Sequence, residues 1–145
     1  MKNKSGFTLL EIIIVIIIVG VLASLALPRF FSTVEFSRST EALTSFTAIR
    51  QSIERCYLQR SGNYNGCTFA NNALDLENPA TSPNSHFTYT ITGTGGAGNP
   101  DATSYRITAN RNARDNGDSG VSTIFIEQTS SGVTRGGSGK FIGIQ

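Results

Sequence analysis

One carboxylate, Glu11, stands in an otherwise uncharged, strongly apolar stretch that runs from Phe7 to Leu27. A charge at membrane depth costs at least about 2.5 kcal/mol on insertion scales, so it ordinarily has a partner and a task. Cys56 and Cys67 are the only cysteines. With an export signal ahead of them, an even count favours a disulfide; the alternative is two free thiols, with Cys56 packed as a small apolar side chain. Together with the single His86 they do not make a zinc site. Asp115-Asn-Gly-Asp-Ser-Gly120 offers the hard oxygen ligands of Asp115 and Asp118 to calcium. It lacks the spacing and closing Glu of a calcium loop and reads first as a solvated hairpin turn. Gly93-Thr-Gly-Gly-Ala-Gly98 is a loop rather than a phosphate cradle, because no Lys-Ser/Thr follows it. His86 reads as a surface or packing residue. No catalytic constellation is present, so the chain is expected to be no enzyme and to need no cofactor.

Three readings compete for the N-terminal segment that surrounds Glu11. Met1-Lys-Asn-Lys-Ser-Gly6 is short and basic, and Ser24-Leu25-Ala26 offers a small-residue cleavage site, as in a secretory signal peptide. Glu11 at the head of the apolar core and Pro28 close behind the cut oppose that reading. A plain anchor is the second: Phe7 to Leu27 is long enough to cross about 30 Å of hydrocarbon, with Lys2 and Lys4 held in the cytoplasm. It leaves Glu11 without a purpose. In the third, the cut falls before the apolar stretch, between Gly6 and Phe7, and the helix stays on the mature protein.

The third reading rests on a resemblance. Lys4-Ser-Gly6-Phe7-Thr-Leu-Leu-Glu11, followed by apolar residues as far as Pro28, resembles the processing site of a type IV prepilin. The resemblance covers residues 1 to about 30, and its motif is highly specific. It implies that a prepilin peptidase removes residues 1–6 at Gly6 and N-methylates Phe7. It also implies that Glu11 meets the amino group of a neighbouring subunit's Phe7 in a filament. Both charges are costly in an apolar core, and breaking such a buried pair costs about 3–5 kcal/mol. In related filaments the stretch between the positions of Gly20 and Pro28 loses helical structure.

Helical pattern continues beyond Pro28. Ala42, Phe46, Ile49, Ile53 and Cys56 recur on one helical face, and Ser61-Gly62-Asn63 ends it. A helix from Phe7 to Arg60 would be about 80 Å long. Its first half is apolar all round and its second half amphipathic. Phe87–Thr92, Ser104–Ala109 and Thr123–Gln128 alternate as strands, joined by Gly- and Asn-rich turns, and Phe141–Ile144 is expected to close the sheet edge. The expected fold is α+β: a long N-terminal helix packed on an antiparallel sheet of about three to four strands. The expected organisation is a leader at 1–6, a transmembrane and filament-core helix at 7–29, and the amphipathic helix plus head at 30–145. The aromatics along the helix, among them Phe30, Phe31 and Phe36, serve subunit packing rather than conduction.

Formal net charge is +2, and Lys2 and Lys4 supply it; without them the twelve basic residues no longer outnumber the ten acidic ones. A near-neutral mature chain makes nucleic acid an unexpected partner, although Arg106, Arg111 and Arg114 form a local cluster. The expected function is a pilin. It waits in the inner membrane, is extracted by an assembly platform and its ATPase, and homopolymerises through its N-terminal helices into a cell-surface filament. Two alternatives stay open: a periplasmic pseudopilin of type II secretion, and a minor or competence pilin that binds DNA. The absence of Trp and of an Asp-Pro-Trp-Gly motif weighs against the major pseudopilin.

Overall fold

The computed structural model describes residues 7–114 and 120–143. Helix α1 runs from Leu9 to Gln59 through two compact units, which divide between Phe36 and Ser37. In the first unit its large apolar side chains are exposed all round, from Ile13 to Phe31. By length and composition α1 can cross a membrane. It continues through Pro28, which has no N–H to donate to the Ser24 carbonyl one turn earlier.

In the second unit α1 is amphipathic as its spacing predicts. Ala42, Phe46, Ile49, Ile53 and Cys56 are buried and join the inward residues of the sheet in a single core. The helix ends with Ser61 at φ 57° and the Gly62 N–H bonded to the Tyr57 carbonyl at 2.9 Å, a Schellman closure.

The sheet is an antiparallel meander, in the order β1 (Phe87–Thr92), β2 (Tyr105–Arg111), β3 (Thr123–Thr129), β4 (Gly132–Gly137). Alternation sends Phe87, Tyr89, Ile91, Tyr105, Ile107 and Ile126 into the core. The Phe46 and Tyr89 rings meet edge-on at 6.2 Å, and the Tyr89 hydroxyl donates to Ser45 Oγ at 3.0 Å.

The fourth strand is Gly132–Gly137, not the expected Phe141–Ile144. Phe141 lies in a short 3-10 turn, buried against Phe87 with ring centroids 5.7 Å apart, and Ile142 is exposed. Ile144 lies outside the described residues. Val-Thr-Arg-Gly-Gly carries little strand propensity, and contacts explain its glycines. A Cβ on Gly136 would fall 2.6 Å from the Phe125 ring, and one on Gly137 would collide with the Phe141 carbonyl.

Candidate assembly and partner-binding sites

Glu11 is not alone at the start of α1. Thr8 donates its backbone N–H and its hydroxyl to Glu11 Oε2, both at 2.8 Å, while the Glu11 N–H donates to Thr8 Oγ1 at 3.3 Å. This is a capping box: Thr8 and Glu11 reciprocally satisfy donors that a helix start leaves open. Sequence reasoning singled out Glu11 and passed over Thr8, although Thr-x-x-Glu before an apolar run is the signal for it. Phe7 is 86% exposed beside it. Gly20 and Pro28 lie farther along the same exposed apolar helix, so the stretch from Leu9 to Pro28 presents apolar surface around one locally bonded carboxylate. Gly6 lies outside the described residues.

The expected bridge is present. Cys56 in the last turns of α1 and Cys67 in the following loop are bonded at 2.06 Å and buried. Closing a loop of that length is worth about 3 kcal/mol in the chain-entropy model. The same loop is pinned twice more. Asp75 takes Arg55 Nε at 2.5 Å and Arg55 Nη2 at 2.9 Å, and the Ser52 hydroxyl at 2.5 Å. These bonds, Arg55 foremost, hold its carboxyl down at about 2. The Tyr64 hydroxyl donates to Glu54, at 3.2 Å to each oxygen, and Tyr105 donates to the same carboxylate at 3.3 Å. Burial, and then the Glu54 charge, push the Tyr64 phenol well above its ordinary value.

His86 packs, as expected, but through a partner the sequence does not advertise. Glu41 on α1 accepts the His86 backbone N–H at 3.0 Å and lies 2.8 Å from its Nδ1. The pair ties the start of β1 to the helix.

The arginine cluster is dispersed by strand alternation. Arg111 points inward and is 1% exposed, with Nη1 donating to the His86 carbonyl at 3.1 Å and the guanidinium 5.8 Å from the Phe87 centroid. Arg106 points outward, lies 4.1 Å over the Phe125 ring and donates Nε to Glu127 at 2.5 Å. Glu127 also accepts the Gly95 N–H at 2.8 Å, which fastens the glycine loop to the sheet and lowers the carboxyl pKa. Gly95 has φ 75°, a conformation that favours glycine. Arg114 is exposed. The outward sheet face is otherwise rich in threonine, with Thr88, Thr90, Thr92 and Thr108 on neighbouring strands.

No group of three or more His, Cys, Asp or Glu residues that could hold a metal occurs among the described residues. Asp115 and Asp118 lie outside them.

Two family models match the chain. Residues 1–27 match the prokaryotic N-terminal methylation motif. Residues 28–123 match the model described as type IV minor pilin ComP, DNA uptake sequence receptor. A probable minor fimbrial protein of Dichelobacter nodosus is 43% identical over 56 residues, 39% of this chain and 35% of that protein. Type II secretion system core protein G of Vibrio cholerae is 33% identical over 61 residues, 42% of each chain. A fimbrial protein of Pseudomonas aeruginosa is 34% identical over 59 residues, 41% of this chain and 38% of that protein. The chain thus spans roughly two fifths of the length of the curated relatives it matches. No solved structure matches it significantly.

Proposed function

The chain belongs to the type IV minor pilin family described as ComP, DNA uptake sequence receptor, and we propose that it is a non-enzymatic subunit built into a type IV pilus-like filament through its N-terminal helix. The observation that carries this reading is the juxtaposition at the start of α1: a processing motif, a helix apolar on every side, and one carboxylate. An all-round apolar helix must be covered by lipid or by other helices. Lipid serves the waiting subunit and neighbouring helices serve the filament.

In this proposal a prepilin peptidase cuts between Gly6 and Phe7 and the new N-terminus is methylated. Residues 1–6 are the leader, 7–29 the membrane and filament-core segment, and 30–145 the rest of the helix with the head. An assembly platform and its ATPase draw the subunit from the inner membrane. Glu11 then exchanges its Thr8 bonds for the Phe7 amine of a neighbour, which sets axial register. Gly20 and Pro28 mark where the helix can open during packing. The filament stands at the cell surface; a periplasmic location would place the chain among pseudopilins instead.

Glu11→Val tests this directly. The variant should insert and fold normally, because it removes a charge that lipid disfavours. Homogeneous filaments should fall away, by the more than hundredfold that the loss of about 3–5 kcal/mol from a broken buried pair implies. Wild-type filament yield by electron microscopy of sheared material would refute the role given to Glu11.

The family description favours a second reading, recognition of DNA by the head as a minor subunit. With Arg111 buried and Arg106 paired, the three-arginine cluster is not a phosphate-gripping patch, so recognition would rest on other residues. Fluorescence anisotropy with duplex oligonucleotides tests it. The reading expects binding that weakens with salt and discriminates between sequences. Equal affinity for every duplex, or none at low salt, would remove it.

A further inference from the structure

The two edges of the sheet are finished differently. On β1 the Asn78 side-chain amide donates to the Tyr89 carbonyl at 3.3 Å, so a loop caps that edge. On β4 no described residue pairs beyond Gly132–Gly137. Its free backbone groups can be assigned. Ser138 donates its N–H to the Thr123 carbonyl, which makes their level a hydrogen-bonded pair in the β3–β4 register. Alternation along an antiparallel ladder then turns the N–H and C=O of Val133 and Arg135 away from β3, toward the open edge. Their side chains lie on the same face of the sheet as Ile126, the partner of Arg135.

Beneath that edge lies a cleft of about 510 Å³ between α1 and the sheet. Leu43 and Ile126 give it apolar walls, and Arg50 and Arg135 give it positive charge, Arg55 on its rim being paired with Asp75. Its one carboxylate, Glu54, is engaged by the hydroxyls of Tyr64 and Tyr105. Arg50 Nε is buried without a hydrogen-bond partner, and Val133 on the open strand is 43% exposed.

We infer that β4 and this cleft bind an extended acidic segment of a different protein, which adds as a fifth strand and sends a carboxylate to Arg135 and Arg50. Strand addition uses the free main-chain groups for affinity and the pockets of alternate side chains for selectivity. The charge argues against a second copy of this chain. Neither edge strand, Phe87–Thr92 nor Gly132–Gly137, contains an acidic residue, and pairing β4 with itself would set arginine near arginine. The inference does not depend on DNA recognition by the head.

The test uses full-length protein in detergent micelles and the peptide acetyl-Thr-Val-Glu-Val-Glu-Val-Thr-amide, with Lys in place of Glu as control. Titration followed by NMR should show saturable binding and slowed amide exchange at Val133 and Arg135. The Lys peptide should bind more weakly. Arg135→Gln should lower affinity by up to about fivefold, the range of a part-exposed ion pair. Arg135→Glu should lower it further. Arg135→Pro removes the outward N–H without touching the β3 ladder and should abolish the protection. Four results would overturn the inference: no protection of those amides at millimolar peptide, equal binding of the Lys peptide, concentration-dependent protection without peptide, or perturbation of the same amides by duplex DNA but not by peptide.

Discussion

Asp75 shows how a loop residue acquires a structural task. It accepts from two nitrogens of Arg55 and from the Ser52 hydroxyl, and each bond favours its charged form. Its folded pKa near 2 lies below the unfolded value. The stability it supplies is therefore complete above about pH 5 and is lost as the pH falls toward 2. Both side chains are about half exposed, so salt screens the pair and its worth is modest. Asp75→Asn should lower the urea midpoint of the head at pH 7, and the gap between variant and wild type should close by pH 2. A gap that stays constant with pH would mean that Asp75 acts through packing alone. Sequence exposes some of this scale and hides the rest. Glu11 stands out because a charge in an apolar run is anomalous, and Thr8 is recoverable from the capping pattern. Asp75–Arg55 and Glu41–His86 join residues 20 and 45 positions apart, and no local spacing announces them.

Elements were legible where periodicity was strong. The amphipathic face of α1 and strands β1 to β3 carry apolar residues at helical or alternate spacing, and they form within two residues of their expected bounds. β4 carries no such pattern, because tertiary contact decides its composition. Gly136 leaves room for Phe125 and Gly137 for the Phe141 backbone. Gly136→Val should therefore destabilise the head despite raising strand propensity, by about 1–3 kcal/mol of overpacking. Chemical denaturation of the variant checks this; a neutral or stabilising effect would show that the Phe125 ring yields at little cost. The arginine cluster teaches the converse. Three cations close in sequence looked like one patch, yet odd and even positions of β2 lie on opposite faces.

On the scale of the whole molecule, two surfaces of different character meet two different needs. The first unit exposes apolar side chains on every side of a helix, with one carboxylate bonded to its own helix start. The second unit is stapled by a disulfide, closed over its own core, and polar on its outer sheet face. A membrane-anchored pilin needs the first surface to move from lipid to neighbouring helices without unfolding, and the second to stay folded outside the cytoplasm. Whether the first surface survives depends on where the mature chain begins. A cut at Gly6–Phe7 keeps the apolar helix and places a charged amine within reach of a neighbour's Glu11. A cut after Ala26 would discard the helix, Glu11 and any means of polymerising through them. Intact-mass spectrometry of all mature forms of the protein, recovered from the membrane, the soluble fraction and the cell surface, decides between them. One species beginning at N-methylated Phe7 is expected; a mass beginning after Ala26, or an uncut chain starting at Met1, would rule out a retained and processed helix.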